Sequence, residues 1–226
     1  MSANVASPRL SFEAFLARPD SDCRAEWIEG RVEYQTPVSL AHQLLCKFLL
    51  LVLELFVRER NLGTVLCAPF LMKIASRPSG REPDLLFIAN SSQVRLHPTY
   101  LDGPADLVVE IISPESRERD RSEKFEEYEN AGIREYWLID PELKTADFYV
   151  LKSGVYRPAR IDAEGRFWSA ILPGFWIEVN WLWDQPGLLA VLQKWQDLPA
   201  AAQIEDLRVV NPAVSGADTS PPTTGG

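Results

Sequence analysis

Apolar residues in the first third of the chain recur with the period of a helix. Between about residues 38 and 60 they are spaced three to four apart, at Ala41, Leu44, Leu45, Phe48, Leu51, Val52, Leu55 and Phe56. This spacing predicts one long helix with a broad buried face, and Gly63 just beyond it is a suitable stop. A shorter helix is predicted over Ser11 to Leu16, with Ser11 as its cap.

Short β-branched and aromatic runs, separated by turn residues, predict the strands. They lie at about residues 26–34, 65–74, 83–89, 107–112, 134–140, 145–151 and 154–161. Asp120-Arg121-Ser122-Glu123 has the spacing of a capping box and predicts a helix from there to about Ala131. The strands before and after that helix are expected to pair in parallel through a crossover. With a last helix over about residues 188–198, this order predicts a mixed α/β domain with a central sheet.

Length and composition indicate one soluble globular domain. The chain has 226 residues, of which 46% are hydrophobic and 24% are charged, which are ordinary values for such proteins. We predict a single domain over residues 1–210. Residues 211–226 are rich in Pro, Ser, Thr and Gly and have no apolar periodicity, so they are predicted to form a disordered tail.

Charge and targeting signals narrow the function classes. The formal net charge of −9 gives no general attraction for nucleic acid and counts against a dedicated nucleic-acid binder, although a local basic groove stays open. The N-terminus has no secretory signal, and the longest apolar run, Phe48 to Leu53, is much too short to span a bilayer. The three widely spaced cysteines have no paired metal-ligand pattern. A cytoplasmic protein without membrane contact is expected.

Two carboxylates at strand positions are the candidate chemistry. Glu110 lies inside the apolar run from Leu107 to Ile112, where an unpaired charge is costly and is expected to be paired, protonated or bound to a metal. Asp84 opens a second apolar run. Paired carboxylates suit a hard Mg²⁺ ion, which can generate a nucleophilic hydroxide, and a lysine on the following helix could stabilise the developing charge.

Structural readings of the same residues stay open on the sequence alone. Asp84 could cap backbone at a strand entrance, Glu110 could pair with an arginine such as Arg134, and Lys124 could be a surface lysine. Other positions fit structural roles better: Asp120 as a helix cap, His42 as a core histidine, Tyr128 in core packing, and the C-terminal tryptophans in the core or in a dimer surface.

The residue pattern around these acids resembles the Uma-two family of endonucleases in the PD-(D/E)XK restriction-endonuclease-like superfamily. The resemblance covers roughly residues 10 to 185. It rests on Pro83-Asp84, the block from Pro104 to Ser116, Asp120, Lys124, Tyr128, Ala131-Gly132 and the block from Glu135 to Pro141, with Glu26, Glu29-Gly30 and His42-Gln43 upstream.

The resemblance implies a restriction-endonuclease-like core, a mixed central sheet flanked by helices, and Mg²⁺-dependent hydrolysis of phosphodiester bonds in DNA, with Mn²⁺ as an alternative ion. Asp84 matches the motif aspartate and Glu110 the acid of the second motif. Ile112 stands where the superfamily lysine is expected, so Lys124 becomes the candidate for a migrated lysine. Glu26 is a further candidate metal ligand.

A rival reading is a catalytically inactive interaction protein that keeps the nuclease scaffold. The acidic net charge and the missing strand lysine favour it. A homodimer is expected under either reading.

Overall fold

The computed structural model describes residues 9–19, 24–114 and 116–197. The predicted tail at residues 211–226 lies outside the described residues, as does Cys23. The chain divides into two compact units, Met1–Leu188 and Leu189–Gly226, so the single domain over residues 1–210 stays a prediction. In the second unit the structure describes the rest of the helix that begins at Leu188, in which Val191 and Trp195 are buried.

The helices and strands largely follow the predicted order. The helices are α1 (Phe12–Leu16), α2 (Leu40–Glu59), α3 (Arg117–Arg121), α4 (Glu123–Ala131), α5 (Trp181–Asp184) and α6 (Leu188–Asp197), with a 3₁₀ helix at Asn90–Arg95. The strands are β1 (Ala25–Ile28), β2 (Arg31–Tyr34), β3 (Gly63–Cys67), β4 (Leu71–Ile74), β5 (Ser79–Arg81), β6 (Leu85–Ala89), β7 (Tyr100–Asp102), β8 (Leu107–Ile111), β9 (Glu135–Asp140), β10 (Thr145–Lys152), β11 (Val155–Pro158), β12 (Arg166–Trp168) and β13 (Trp176–Glu178).

A six-stranded mixed sheet forms the centre of the first unit, in the order β11-β10-β9-β8-β6-β3. Strands β8 and β9 pair in parallel, with Leu107 opposite Glu135 and Ile111 opposite Ile139, and the other neighbours are antiparallel. Helices α3 and α4 lie in the connection between β8 and β9. The predicted parallel crossover is therefore confirmed, as is the mixed α/β architecture.

A second, five-stranded sheet has the order β2-β1-β5-β4-β7, and β12 and β13 form a separate pair. The single strand expected over residues 65–74 is wrong, because the chain leaves the central sheet after Cys67 and enters the second sheet at Leu71. Pro69 lies in the gap between them. Proline has no N–H to donate to a strand ladder, so a break at this residue is physically favourable.

Helix α2 is the long apolar helix that the periodicity predicts. Its first turn is capped by Ser39, whose side chain accepts a hydrogen bond from the His42 amide at 3.2 Å. One face is buried and contacts β3, β8 and α5. By length and composition alone α2 could cross a membrane, with a mean hydropathy of 1.9, although the core helix of a soluble protein passes the same test. No other helix in the described residues is long and apolar enough to cross a membrane.

The predicted capping box at Asp120 is wrong. Helical backbone begins at Arg117, three residues earlier, so Asp120 lies inside α3 and its side chain is buried. Helix α4 begins after Ser122, whose hydroxyl donates to the Glu118 carbonyl at 2.6 Å and caps no α4 amide. The Asp120 carboxylate, which the sequence pattern assigned to a helix start, therefore lies in the interior.

Glu135 on β9 is a buried carboxyl that ties the sheet to the segment before β13. It accepts hydrogen bonds from the Trp137 indole at 2.8 Å, the Ser169 hydroxyl at 3.1 Å and the Ala170 amide at 2.7 Å. Burial removes the carboxylate from water and raises the pKa of Glu135 from 4.5 to about 7, although the three hydrogen bonds oppose that shift.

Because the folded pKa of Glu135 lies above the unfolded value, the folded protein holds a proton that the unfolded chain releases between pH 4.5 and 7. Stability from this group is present at low pH and is lost as the pH rises through that window, by about 3 kcal/mol. Urea unfolding at several pH values should show a flatter pH profile for Glu135→Gln than for wild type. The exposed Glu142→Gln serves as the control, and equal slopes for Glu135→Gln and wild type would contradict the assignment.

Candidate active site

A cavity of about 140 Å³ lies where β8, β6, α2, α3, α4 and the β1–β2 hairpin meet. All four site residues predicted from the sequence line it: Glu26, Asp84, Glu110 and Lys124. They come from positions far apart in the chain, and each is almost completely buried. The structure therefore brings the predicted constellation together in one place.

Asp84 directly precedes β6 and is fixed by two hydrogen bonds. Its Oδ2 accepts from the Ile111 amide on β8 at 2.8 Å and faces His42 Nε2 on α2 at 3.1 Å. Its Oδ1 accepts no hydrogen bond within the described ranges. One carboxylate oxygen thus holds the neighbouring strand, and the other has no donor among the described residues.

Glu110 projects from β8 toward α4. Its Oε1 accepts hydrogen bonds from Lys124 Nζ at 2.9 Å and from the Tyr128 hydroxyl at 2.6 Å. The expected alternative, a pair with Arg134, is wrong, because Arg134 donates to Asp106 at 2.9 Å. Among the described residues Glu110 Oε2 has no donor.

Burial raises the pKa of Glu110 to about 7. The Lys124 cation opposes that rise, while the nearby negative charges of Asp120, Asp84 and Glu26 add to it. Asp84 and Glu110 are therefore close enough to repel each other electrostatically. Such repulsion is relieved when a cation binds between two carboxylates.

Lys124 lies in the first turn of α4 and is not a surface lysine. It is 3% exposed, and its Nζ lies 3.4 Å from both Glu26 Oε1 and Asp120 Oδ1, in addition to the contact with Glu110. Burial lowers the pKa of Lys124, but these three carboxylates outweigh that effect and hold it above its usual range. Lys124 is therefore a fixed cation within the acidic group.

Glu26 on β1 is held more tightly than the other acids. Its Oε2 accepts from Arg81 at 3.0 Å, and its Oε1 accepts from the Glu82 amide at 3.2 Å. Burial raises the pKa of Glu26, but the cations of Lys124 and Arg81 outweigh burial and hold it at about 2. Glu26 is thus an anion with both oxygens engaged.

Three residues at or near the site were not assigned to it from the sequence. Arg81 on β5 is fully buried and donates to Glu26, Glu127 and Glu123. Asp120 contacts Lys124, and His42 contacts Asp84. Arg81 has no local signal, since its partners Glu127 and Glu26 lie 46 and 55 residues away in the chain. The family-like His42-Gln43 pair was the available signal for His42.

Ile112, two residues after Glu110, is buried in the same hydrophobic cluster as Val108 and Tyr128. It has no group that could bind water or charge. An apolar core residue therefore occupies the position of the superfamily lysine, as expected from the sequence. The cation that contacts Glu110 is Lys124.

The donor set at the cavity fits a hard divalent cation. Asp84 and Glu110 each have one carboxylate oxygen without a protein donor in the part of the chain that is described, and Mg²⁺ is usually held by one or two carboxylates with waters and substrate oxygens. The structure shows no group of three His, Cys, Asp or Glu side chains placed to share one ion, as far as the described residues go. A bound metal would thus depend mainly on these two acids.

Comparison with known proteins finds similarity to proteins described as putative nucleases. The profile of the Uma2 family, described as "putative restriction endonuclease", matches residues 12–180. A crystal structure of a putative nuclease belonging to DUF820 from Anabaena variabilis ATCC 29413 superposes with a TM-score of 0.65 at 17% identity, over 77% of this chain and 98% of that one. No curated protein matches the sequence. The resemblance and the restriction-endonuclease-like fold expected from the sequence are both confirmed.

Proposed function

Because this chain belongs to the Uma2 family of putative restriction endonucleases, we propose that it is a metal-dependent endonuclease that hydrolyses phosphodiester bonds in DNA. In this proposal Asp84 and Glu110 hold Mg²⁺ or Mn²⁺, and Lys124 assists the attacking water. Nucleases of the PD-(D/E)XK type usually use divalent metal ions, which supports the choice of cofactor.

One observation carries the proposal: Lys124 Nζ lies 2.9 Å from Glu110 Oε1 in a cavity that Asp84 also lines. The weakness of the sequence pattern was the absence of a lysine at Ile112. A lysine on a helix can replace one on the strand if its ammonium group reaches the same carboxylate. The long side chain of Lys124 does so across 14 residues of sequence.

The protein groups have separable roles in such a reaction. The metal ion would polarise the phosphodiester and lower the pKa of a bound water. Lys124 keeps its proton and stabilises the negative charge that develops on the phosphate oxygens. Tyr128 and His42 orient Glu110 and Asp84 by hydrogen bonds, as residues around metal ligands commonly do.

Glu26 enters the proposal as the weakest metal ligand. Both of its oxygens are engaged by Arg81, Lys124 and the Glu82 amide. Its more direct effect is on Lys124, whose positive charge it stabilises.

Replacing Lys124 by methionine tests the central role. We expect cleavage of DNA in Mg²⁺ or Mn²⁺ to fall by about 100-fold, because one charged group that stabilises the transition state is removed. Lys152→Met, at an exposed lysine on β10, is the matched control and should cleave like wild type. Chelation with EDTA should abolish wild-type cleavage.

The rival reading, an inactive interaction protein on a nuclease scaffold, is supported by the acidic net charge and by the buried, apolar Ile112 at the position of the superfamily lysine. It predicts purified protein that stays inert over a panel of DNA and RNA substrates and binds no Mg²⁺ or Mn²⁺ in calorimetry. That result would overturn the proposed activity.

Assembly and location remain predictions. Trp176 and Trp181 are buried within a single chain at 2% and 4% exposure, so they are not available to form the surface of the expected homodimer. The cytoplasmic location likewise rests on the sequence alone.

A further inference from the structure

Three N–H donors at the rim of the cavity are buried and have no acceptor within the described ranges. They are Arg24 Nε, Gln35 Nε2 and Arg119 Nε, and we call these three residues the donor cluster. All three line the same cavity as Asp84 and Glu110. Buried donors without a hydrogen bond are costly and uncommon in folded proteins, and these three converge on one cavity.

The fold holds the donor cluster in place. The backbone N–H of Gln35 donates to the backbone carbonyl of Arg24 at 2.9 Å. This bond sets the two residues side by side where the β1–β2 hairpin ends. Arg119 reaches them from α3 and donates through its Nη2 to Gln35 Oε1 at 3.4 Å. This contact assigns the other end of the amide, Nε2, as a donor.

Neighbouring carboxylates form ion pairs with Arg24 and Arg119 of the donor cluster. Arg24 Nε lies 3.5 Å from Glu82 Oε2, and Arg119 Nε lies 4.0 Å from Asp120 Oδ1. Neither contact has hydrogen-bond geometry, and Glu82 Oε2 and Asp120 Oδ1 are themselves buried without a hydrogen-bond donor among the described residues. An anion with several acceptor oxygens, such as a phosphodiester, can meet all three donors at once.

Tyr34 adds a surface for a base beside these donors. It also lines the cavity, and 58% of its surface is exposed. The Arg18 guanidinium lies 5.7 Å from the ring centroid on one side. Exposed aromatic rings can bind single-stranded nucleic acid by stacking on its bases.

The depth of the acids favours a single strand over a duplex. Glu110 is 3% exposed and Asp84 is 7% exposed, so a phosphate must enter the cavity to reach them. A flexible single strand can insert one phosphate there, whereas the phosphates of a continuous duplex stay on a stiff cylinder.

We propose that the donor cluster binds a phosphate of single-stranded DNA next to the scissile bond, with the adjoining base stacked on Tyr34. This inference rests on the proposed nuclease function and deepens it by naming the substrate class. The cavity then has two parts, an acidic part with Asp84 and Glu110 and a donor part formed by the hairpin end and α3.

Fluorescence anisotropy in EDTA measures this binding without cleavage. The probes are a labelled single strand of about a dozen nucleotides, within the usual range for such sites, and a duplex of the same sequence. Arg24→Gln and Arg119→Gln should each weaken single-strand binding at least about tenfold, since charge-assisted hydrogen bonds are lost. Arg31→Gln and Arg121→Gln remove the same charge outside the cavity and should change the Kd less than about twofold.

Tyr34 is tested with a strand that carries abasic sugars. Tyr34→Ala should weaken binding of the normal strand by about tenfold, because one stacked base is lost, and should leave binding of the abasic strand unchanged. Tyr34→Phe keeps the ring and should bind like wild type.

Several results would overturn the inference: no single-strand binding by wild type, equal or tighter binding of the duplex, or equal losses in the Arg31 and Arg121 controls. Each of these results can be distinguished from a failure of the proposed nuclease function. If the protein binds single strands through the donor cluster but never cleaves them, the binding site is supported and the nuclease activity is contradicted. If the protein cleaves DNA and its KM is unchanged in Arg24→Gln and Arg119→Gln, the nuclease activity is supported and the binding site is contradicted.

Discussion

Replacing Arg81 by methionine should lower the free energy of unfolding by about 3–5 kcal/mol, the cost of removing one partner from a buried ion pair. Arg81 is 0% exposed and bonds to Glu26 and Glu127, which are also buried, and to Glu123. Methionine fills a similar volume but leaves the buried Glu127 without its cation and Glu26 with Lys124 alone. Urea unfolding followed by circular dichroism measures the loss.

Arg77→Met is the matched control for Arg81→Met. Arg77 also pairs with two carboxylates, Glu29 at 3.1 Å and Glu123 at 3.4 Å, but its side chain is 37% exposed. Water screens such pairs, so the loss should stay below about 1 kcal/mol. Equal losses in the two variants would show that the depth of Arg81 is not what makes its ion pairs important.

Asp84→Asn and Glu110→Gln should each reduce metal-dependent DNA cleavage by about 1,000-fold. Loss of a metal ligand removes several kcal/mol of charge stabilisation in the transition state, and each ~1.4 kcal/mol is a factor of ten in rate. Both substitutions keep the size of the side chain. Calorimetry with Mn²⁺ should show weaker metal binding in parallel with the loss of cleavage.

Folding and activity must be separated for these two variants. Asp102→Asn, at an exposed carboxylate on β7, controls for the loss of an acid and should cleave like wild type. In Glu110→Gln, Lys124 keeps its contacts with Glu26 and Asp120, so the loss of stability should be no more than about 1 kcal/mol. A marked loss would instead indicate that the pair of Glu110 with Lys124 is structural.

Local patterns in the sequence were sufficient for most elements of the fold. The periodicity from Ala41 to Phe56 places α2, and the cap at Ser11 places α1. The strand pattern at β8 and β9, with a helix between, gives the parallel pair at the centre of the sheet. These elements depend on the order of apolar and polar residues over short distances, which a single sequence contains.

The errors arise where local patterns compete with distant partners. Asp120 has the spacing of a helix cap, yet it is buried beside Lys124. The apolar run from Val65 to Ile74 continues across Pro69, yet its halves join different sheets. In both cases the outcome depends on which distant segments supply the hydrogen bonds and charges.

The sequence by itself determined the fold class and the family resemblance and singled out Asp84 and Glu110 as candidate site acids, because each depends on residue type and short-range spacing. Only the tertiary structure decided that Lys124 reaches Glu110, that Arg81 holds Glu26, and that Arg24, Gln35 and Arg119 converge on one cavity. The physical reason is that buried charges need partners within a few ångströms, and a folded chain recruits those partners from segments that are far apart in sequence.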